Sequence, residues 1–351
     1  MTQVNNKMIT LARESRGYSQ RELSQLLKVS QGKLSKVEQG TLSVSDDMLE
    51  KMENFLNYPK KFFYEPENIY PPITPFHRKR KRLSKKAQNF IEAKANIYRI
   101  HISKMQQSAE LDQDIIFCDL DDYGGQPENI ANVLRRYWKL PKGPIDNLTN
   151  VVEQAGIVVI FFDFQTNLLD GFTFVTPKSF PIIFLNSKFP GDRLRFTLAH
   201  ELGHIVMHHV PTITAEDEAN RFASEFLMPS EEIKPQLKRL TLAKLANLKP
   251  YWKVSMAALL VKAGKKGLNL LTYNQERYLW RQMAPYRTVE PLKLDIPQEQ
   301  PSLWKELNEF HLTELGYNEK ELCDLLNLFP QEYPNYYPFH HKFTKKHLRI
   351  V

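Results

Sequence analysis

Apolar positions in the first sixty residues recur three and four apart in short bursts, each opened by a capping side chain and closed by a glycine or a turn. Segment 7–15, KMITLARES, ends at Arg16-Gly17, and Ser19 can cap SQRELSQLLKV with Glu22 in the capping-box position. Ser30 opens SQGKLSKVEQG, where Leu34 and Val37 have helical spacing and Gly40 is placed to stop the helix; Ser45 opens SDDMLEKMENFL. The pattern predicts a bundle of four to five short helices. Only a few residues around Lys28-Val29 separate the second from the third, which is the spacing of a helix-turn-helix. Taken alone, the same pattern describes any small helical bundle.

After Tyr58-Pro59 the periodicity stops. YEPENIYPPITPF carries prolines and HRKRKRLSKK is a dense basic run, followed by a helix through AQNFIEAKANIYRIHISKMQQSAEL. The run reads as the solvated start of that helix, with an arm reaching a DNA groove as the alternative. PENIANVLRRYWKL and PIDNLTNVVEQAG read as further helices, the second with Asp146 near its start and Gly156 just past its end. IVVIFFDF, GFTFVT and FPIIFLNS are β-rich runs bounded by Gly, Pro and Asn, and predict a small, mostly antiparallel sheet. Next, Asp192 can cap a helix through RLRFTLAHELGHIVMHH that ends at Val210-Pro211, and Thr214 can cap TAEDEANRFASEFLMP. Residues 230–285 read as helical, with PYWKVSMAALLVKAGKKG an apolar-faced helix ended by Gly264 or Gly267. Beyond VEPLKLDIPQEQP, ELGYNEKELCDLLNLFPQE has the outline of a second short helix-turn-helix, but its lack of basic residues argues for packing or partner contact. HHKFTKKHLRIV closes the chain as a frayed or docked tail. The expected class is α+β, mostly helical. We read four units: a helix-turn-helix bundle over 1–66, a basic linker and helix over 67–126, a unit holding the sheet and the histidine-rich helix over 127–285, and a helical C-terminal region over 286–351.

Composition narrows this picture. At 351 residues and 42% hydrophobic the chain is an ordinary folded one, long enough for two or three domains. No run of eighteen apolar residues occurs, and MTQVNNKMIT lacks the basic start and apolar core of a signal peptide, so a cytoplasmic protein without membrane contact is expected. Cys118 and Cys323 are the only cysteines, which excludes a disulfide framework and a cysteine-based zinc ribbon; any metal must be held by His and carboxylates. The net charge of +8 is concentrated at the front: residues 1–110 hold 20 Lys+Arg against 11 Asp+Glu, and the remainder 28 against 29. A localised basic region suits a binder of phosphate backbone, although charge alone fits a solvated face equally well.

TLAHELGHIVMHH, residues 197–209, holds four histidines and a glutamate. On a helix, His200 and His204 lie about 40° apart around the axis and about 6 Å along it, close enough to bind one ion together. Glu201 beside them can act as a proton acceptor in metal-assisted hydrolysis, so the residues spell His-Glu-x-x-His. A third histidine ligand of the extended motif would need Gly at 207 and His at 210, where Met207 and Val210 stand. A glutamate on the following helix is the other option. Glu216 and Asn220 are four apart on one face, giving a ligand with an amide behind it to orient a histidine, while Glu218 points about 200° away and is the weaker candidate. His208 is a candidate supporting residue and a hydrogen-bond donor to test, although His208 and His209 also suit the carbonyls at a helix C-terminus. Arg195 and Asn186 brace either the site or the fold.

Two resemblances sharpen the reading. YSQRELSQLLKVSQGKLSKVEQG, with its Ser-Gln start, Val29-Ser30 turn and Glu38-x-Gly40 end, resembles the phage-repressor and Cro (Xre) family of helix-turn-helix domains. That resemblance implies double-stranded operator DNA as partner, Gln20 at a phosphate, and a recognition helix offering Gln31, Lys33, Ser35 and Lys36 to bases and phosphates. Gly32 departs from the pattern and leaves one early position with no side chain to read a base. RFTLAHELGHIVMHH followed by EDEANRFASEFLMP resembles the ImmA/IrrE family of zinc metallopeptidases over roughly residues 150–235. It implies one Zn2+ per chain on His200, His204 and Glu216, with Glu201 as general base. It also implies a bacterial or phage regulator that cuts a partner repressor or antitoxin at a specific site under stress or mobile-element induction. A homodimer is expected only by analogy with two-fold operators. Two alternatives stay open: a repressor or antitoxin whose peptidase-like part only senses a ligand or partner, and a chain that cleaves itself to release its DNA-binding part. Glu201 favours hydrolysis, because a structural zinc site needs no base.

Overall fold

The computed structural model describes residues 3–66, 68–70, 83–176, 179–208, 212–287, 289–336 and 348–350. It opens with α1 (Asn6–Ser15), α2 (Gln20–Leu26), α3 (Gln31–Glu38) and α4 (Asp46–Leu56), in which Asn5, Ser19, Ser30 and Ser45 each accept a first-turn N–H. Ser19 and Glu22 form the reciprocal capping box. Lys28, at φ 55°, turns the chain from α2 to α3, and Gly40, at φ 73°, ends α3 as its position suggested. Met8, Ile9, Ala12, Leu23, Leu34, Met52 and Leu56 fill the core between these helices. Arg13 forks onto the Glu38 carboxylate at 2.6 and 2.9 Å, and Gln20 Nε2 donates to the same carboxylate at 2.8 Å. One buried acid therefore ties α1, α2 and α3 together, and removing either side of the ion pair would strand an unpaired charge.

α5 (Lys85–Met105), β1 (Ala109–Leu111), α6 (Pro127–Tyr137) and α7 (Leu148–Gln154) lead into β2 (Val158–Phe162), β3 (Gly171–Thr176) and β4 (Ser179–Asn186). The three later strands form one sheet in the order β2-β4-β3, with β2 parallel to β4 and β3 antiparallel to it. The sheet is thus mixed rather than mostly antiparallel. Turn signals mark where strands end but not which strand the chain inserts between, and β4 takes the central place. Side chains alternate across it. Val158, Ile160, Phe172, Phe174, Ile182 and Phe184 join a core with α5 and the first helices, whereas Val159, Ile183 and Leu185 join a second core with the helices that follow. The sheet is a partition buried on both faces. Thr173, between Phe172 and Phe174, is turned to the second face.

The second core is completed by α8 (Gly191–Met207), α9 (Ala215–Leu227), α10 (Ser230–Ile233), α11 (Leu242–Trp252), α12 (Met256–Ala263) and α13 (Tyr273–Gln282). α8 starts with Pro190 as cap. Asp192 lies inside the first turn, where its carboxylate accepts from Lys249 Nζ at 2.6 Å instead of capping, and Thr214 makes no side-chain cap. The expected single helix over PYWKVSMAALLVKAGKKG is broken, because Lys253 turns to φ 54° and Ser255 caps a new helix, α12, that ends at Gly264.

α14 (Leu303–Thr313), α15 (Glu319–Leu326) and α16 (Tyr333–Tyr336) return to the first core through Leu303, Trp304, Leu307, Phe310 and Leu322. After α15 comes the short turn Pro330–Glu332 and then α16 rather than a recognition-length helix, so the second helix-turn-helix outlined by the sequence is absent. This region clamps the first bundle: Arg16 donates to Glu332 at 2.9 Å, and the Tyr58 and Tyr336 hydroxyls meet at 3.2 Å. β5 (Leu348–Ile350) pairs antiparallel with β1. Contacts cross the limits at 66 and 285, and those limits remain our reading of the units. The basic run at 77–82, His209 to Pro211 and most of the tail lie outside the described residues. Among the described residues no helix is long and apolar enough to cross a membrane.

Candidate metal centre

α9 runs back along α8, setting Glu216 against His204 and Asn220 against His200. Close approach of the two helices rests on Gly203, where a Cβ would come within 2.9 Å of the buried Phe222 ring. The result is one cluster in which a ligand atom from each of His200, His204 and Glu216 lies within 4.8 Å of the others. His204 Nε2 is 3.1 Å from His200 Nε2 and 3.3 Å from Glu216 Oε1, and His200 Nε2 is 3.9 Å from Glu216 Oε2. Tetrahedral bonds of about 2.0–2.2 Å to one ion put donor atoms roughly 3.3–3.6 Å apart, so the three separations lie within a few tenths of an ångström of tetrahedron edges.

The neighbours decide the tautomers. Asn220 Nδ2 donates to the Glu216 carbonyl at 2.7 Å, which leaves Asn220 Oδ1 to accept from His200 Nδ1 at 3.2 Å. His204 Nδ1 is 3.0 Å from His208 Nδ1, and His208 Nε2 is 2.8 Å from Glu218 Oε2. Glu218 can only accept, so His208 donates from Nε2 and its Nδ1 faces His204 Nδ1 as an acceptor, while burial lowers the His208 pKa against the pull of Glu218. With both Nδ1 atoms donating, two Nε2 lone pairs face each other across 3.1 Å. Such a pair repels unless a cation lies between them, and two imidazoles plus a carboxylate suit zinc.

Glu201 is fully buried beside this cluster, where Thr173 Oγ1 donates to its Oε2 at 2.8 Å. Thr173 was not among the residues singled out from the sequence. Its only signal there is the alternation Phe172-Thr173-Phe174, which turns one polar side chain toward the histidine helix. Glu218 is likewise placed as the support of His208 and not as a ligand. His208 faces His204 and Glu218, the place of a supporting residue. Arg195 and Asn186 brace the fold: Arg195 holds the Ile145 carbonyl and Glu299, while Asn186 donates to the Thr166 and Leu169 carbonyls. A cavity of about 960 Å³ opens beside Asn220 and Thr197 and follows the α8–α9 groove toward Phe189.

In the first bundle, Gln31, Lys33 and Lys36 stand exposed on α3. Ser35 is half-buried and accepts from Gln39 at 3.4 Å, while Gln20 commits one N–H to Glu38 and keeps a second.

Residues 9–63 match the family model described as helix-turn-helix, and residues 152–263 match that of the IrrE N-terminal-like domain, a peptidase family. Among curated proteins, none matches the chain. The first match spans α1 to α4, and the second spans the sheet, the paired helices of the metal cluster and α11 with α12. The chain is therefore a fusion of a helix-turn-helix DNA-binding domain with an IrrE-like domain of a metallopeptidase family.

Proposed function

We propose that the chain is a DNA-bound regulator whose second half is a zinc endopeptidase that cuts a partner repressor or antitoxin at one site. The observation that supports it best is the convergence of His200, His204 and Glu216 with the fully buried Glu201 alongside, where Asn220, His208 and Thr173 hold His200, His204 and Glu201. Zinc bound there supplies a Lewis acid that polarises the scissile carbonyl and makes water acidic enough to attack near neutral pH. Glu201 takes the proton of the attacking water and returns it to the leaving amine. Thr173 fixes the carboxylate on its Oε2 side, so the proton is carried on Oε1. β3 is an edge strand beside α8, where an extended substrate can add as a further strand. The α8–α9 groove then receives the chain that continues past Asn220.

On the DNA side we assign Lys33 and Lys36 to phosphates, Gln31 and Ser35 to base edges, and Gln20 to a phosphate at the start of α2. The fusion supports cleavage at the operator, a reading in which the site is cytoplasmic and the substrate is another regulator. Metal content measured by plasma mass spectrometry on untagged protein tests the first step: about one zinc per chain, lost in His204→Ala, is expected. Glu201→Gln should keep the zinc and abolish derepression in cells. Derepression that survives Glu201→Gln would leave the peptidase half as a sensor only.

A further inference from the structure

Residues 264–287 carry five basic side chains, Lys265, Lys266, Arg277, Arg281 and Arg287, against the single acid Glu276, whereas the rest of residues 111–351 holds 23 Lys+Arg against 28 Asp+Glu. The acid is turned away: Glu276 accepts the Lys265 backbone N–H at 3.0 Å and so closes the turn between α12 and α13. α13 gives only Leu279 to the core. Its outer face holds Tyr273, 76% exposed, and Tyr278, 53% exposed, with Arg277 and Arg281 exposed between and beyond them. Tyr273, Arg277 and Arg281 are successive four-residue steps, so they form one stripe roughly 12 Å long. Among the described residues, Lys265, Lys266, Arg277 and Arg281 make no ion pair. Solvated helix faces ordinarily alternate charges in i,i+4 pairs, whereas here the i+4 neighbour of Arg277 is another arginine. The face thus carries a standing repulsion that a polyanion would relieve.

We propose that α13 and the turn before it form a second DNA-contacting surface, which binds the phosphate backbone of duplex DNA independently of α3. Arg, Lys, Tyr and Asn are side chains that donate to phosphate, and Asn274, next to Tyr273, is exposed beside them. Duplex DNA is the polyanion that the helix-turn-helix match already brings to this chain. The surface stands whether or not the metal centre turns over.

The test is fluorescence anisotropy of the full chain on a labelled duplex of arbitrary sequence, about three helical turns long, across a salt series. Lys33→Ala with Lys36→Ala should weaken binding and leave a salt-dependent remainder. Adding Arg277→Gln with Arg281→Gln should flatten the remaining log–log salt slope by about 2 and weaken it on the order of tenfold at about 0.1 M salt. Lys265→Gln with Lys266→Gln repeats the measurement from the turn, should the arginine pair disturb α13. The proposal is overturned if both neutral pairs leave slope and affinity unchanged. It is equally overturned if only an Arg277→Glu, Arg281→Glu pair weakens binding, or if the loss is confined to a single-stranded probe.

Discussion

Replacing Gly203 by alanine tests whether the α8–α9 contact sets the metal cluster. Glycine inside a helix costs about 1 kcal/mol relative to alanine, so the substitution should stabilise where space allows. At Gly203 the new Cβ would lie 2.9, 3.2 and 3.4 Å from Phe222 Cδ1, Cγ and Cβ. Phe222 is fully buried and stacked on Phe226 at 5.5 Å, so the ring cannot swing aside and α9 must move. Overpacking of this kind costs about 1–3 kcal/mol, which cancels or exceeds the propensity gain and leaves a net loss of up to about 2 kcal/mol. Because α9 carries both Glu216 and Asn220, the displacement should also lower zinc affinity, by about tenfold for a shift that costs the site about 1.4 kcal/mol. Gly32 is the internal control, since a Cβ there meets nothing within 4 Å. Gly32→Ala should stabilise by up to about 1 kcal/mol and leave zinc untouched. Urea unfolding with and without chelator, together with competition against a chromophoric chelator, reads both quantities. A Gly203→Ala protein that is as stabilised as Gly32→Ala, with unchanged zinc affinity, would refute the argument that this contact positions the ligands.

Asn220→Ala removes the acceptor that holds His200 Nδ1–H and should cost about 10–100-fold in zinc affinity, read by chelator competition, with secondary structure intact by circular dichroism. Thr173→Val keeps the shape but strips the hydroxyl from Glu201; zinc content should stay the same while cleavage of the partner falls by about tenfold or more. His101 is pushed down to about 3 from its ordinary value near 6.5, first by burial and then by Lys104. The folded state therefore binds fewer protons than the unfolded chain between those values. Stability present above about pH 6.5 is lost as pH falls toward 3, and His101→Phe should flatten that loss between pH 7 and pH 5 in urea midpoints. Equal losses in the two proteins would place the acid sensitivity elsewhere.

Much of this protein was legible before its fold. Helix caps at Ser19, Ser30 and Ser45, the stop at Gly40 and the four-residue spacings of His200 with His204 and Glu216 with Asn220 are properties of one turn of chain. Local geometry follows from local sequence, because a helix brings residues three and four apart together wherever it sits. Other features needed the whole molecule. That Glu216 reaches His204, that Thr173 meets Glu201, that Glu218 backs His208 and that β4 lies between β2 and β3 all depend on how separate elements stack. The same holds for the C-terminal helices, whose apolar faces announced burial but not that the first bundle would cover them. Periodicity tells which side of an element seeks a partner. Only the packing of all the elements, with a glycine where two helices must touch and a sheet buried on both faces, selects which partner it finds.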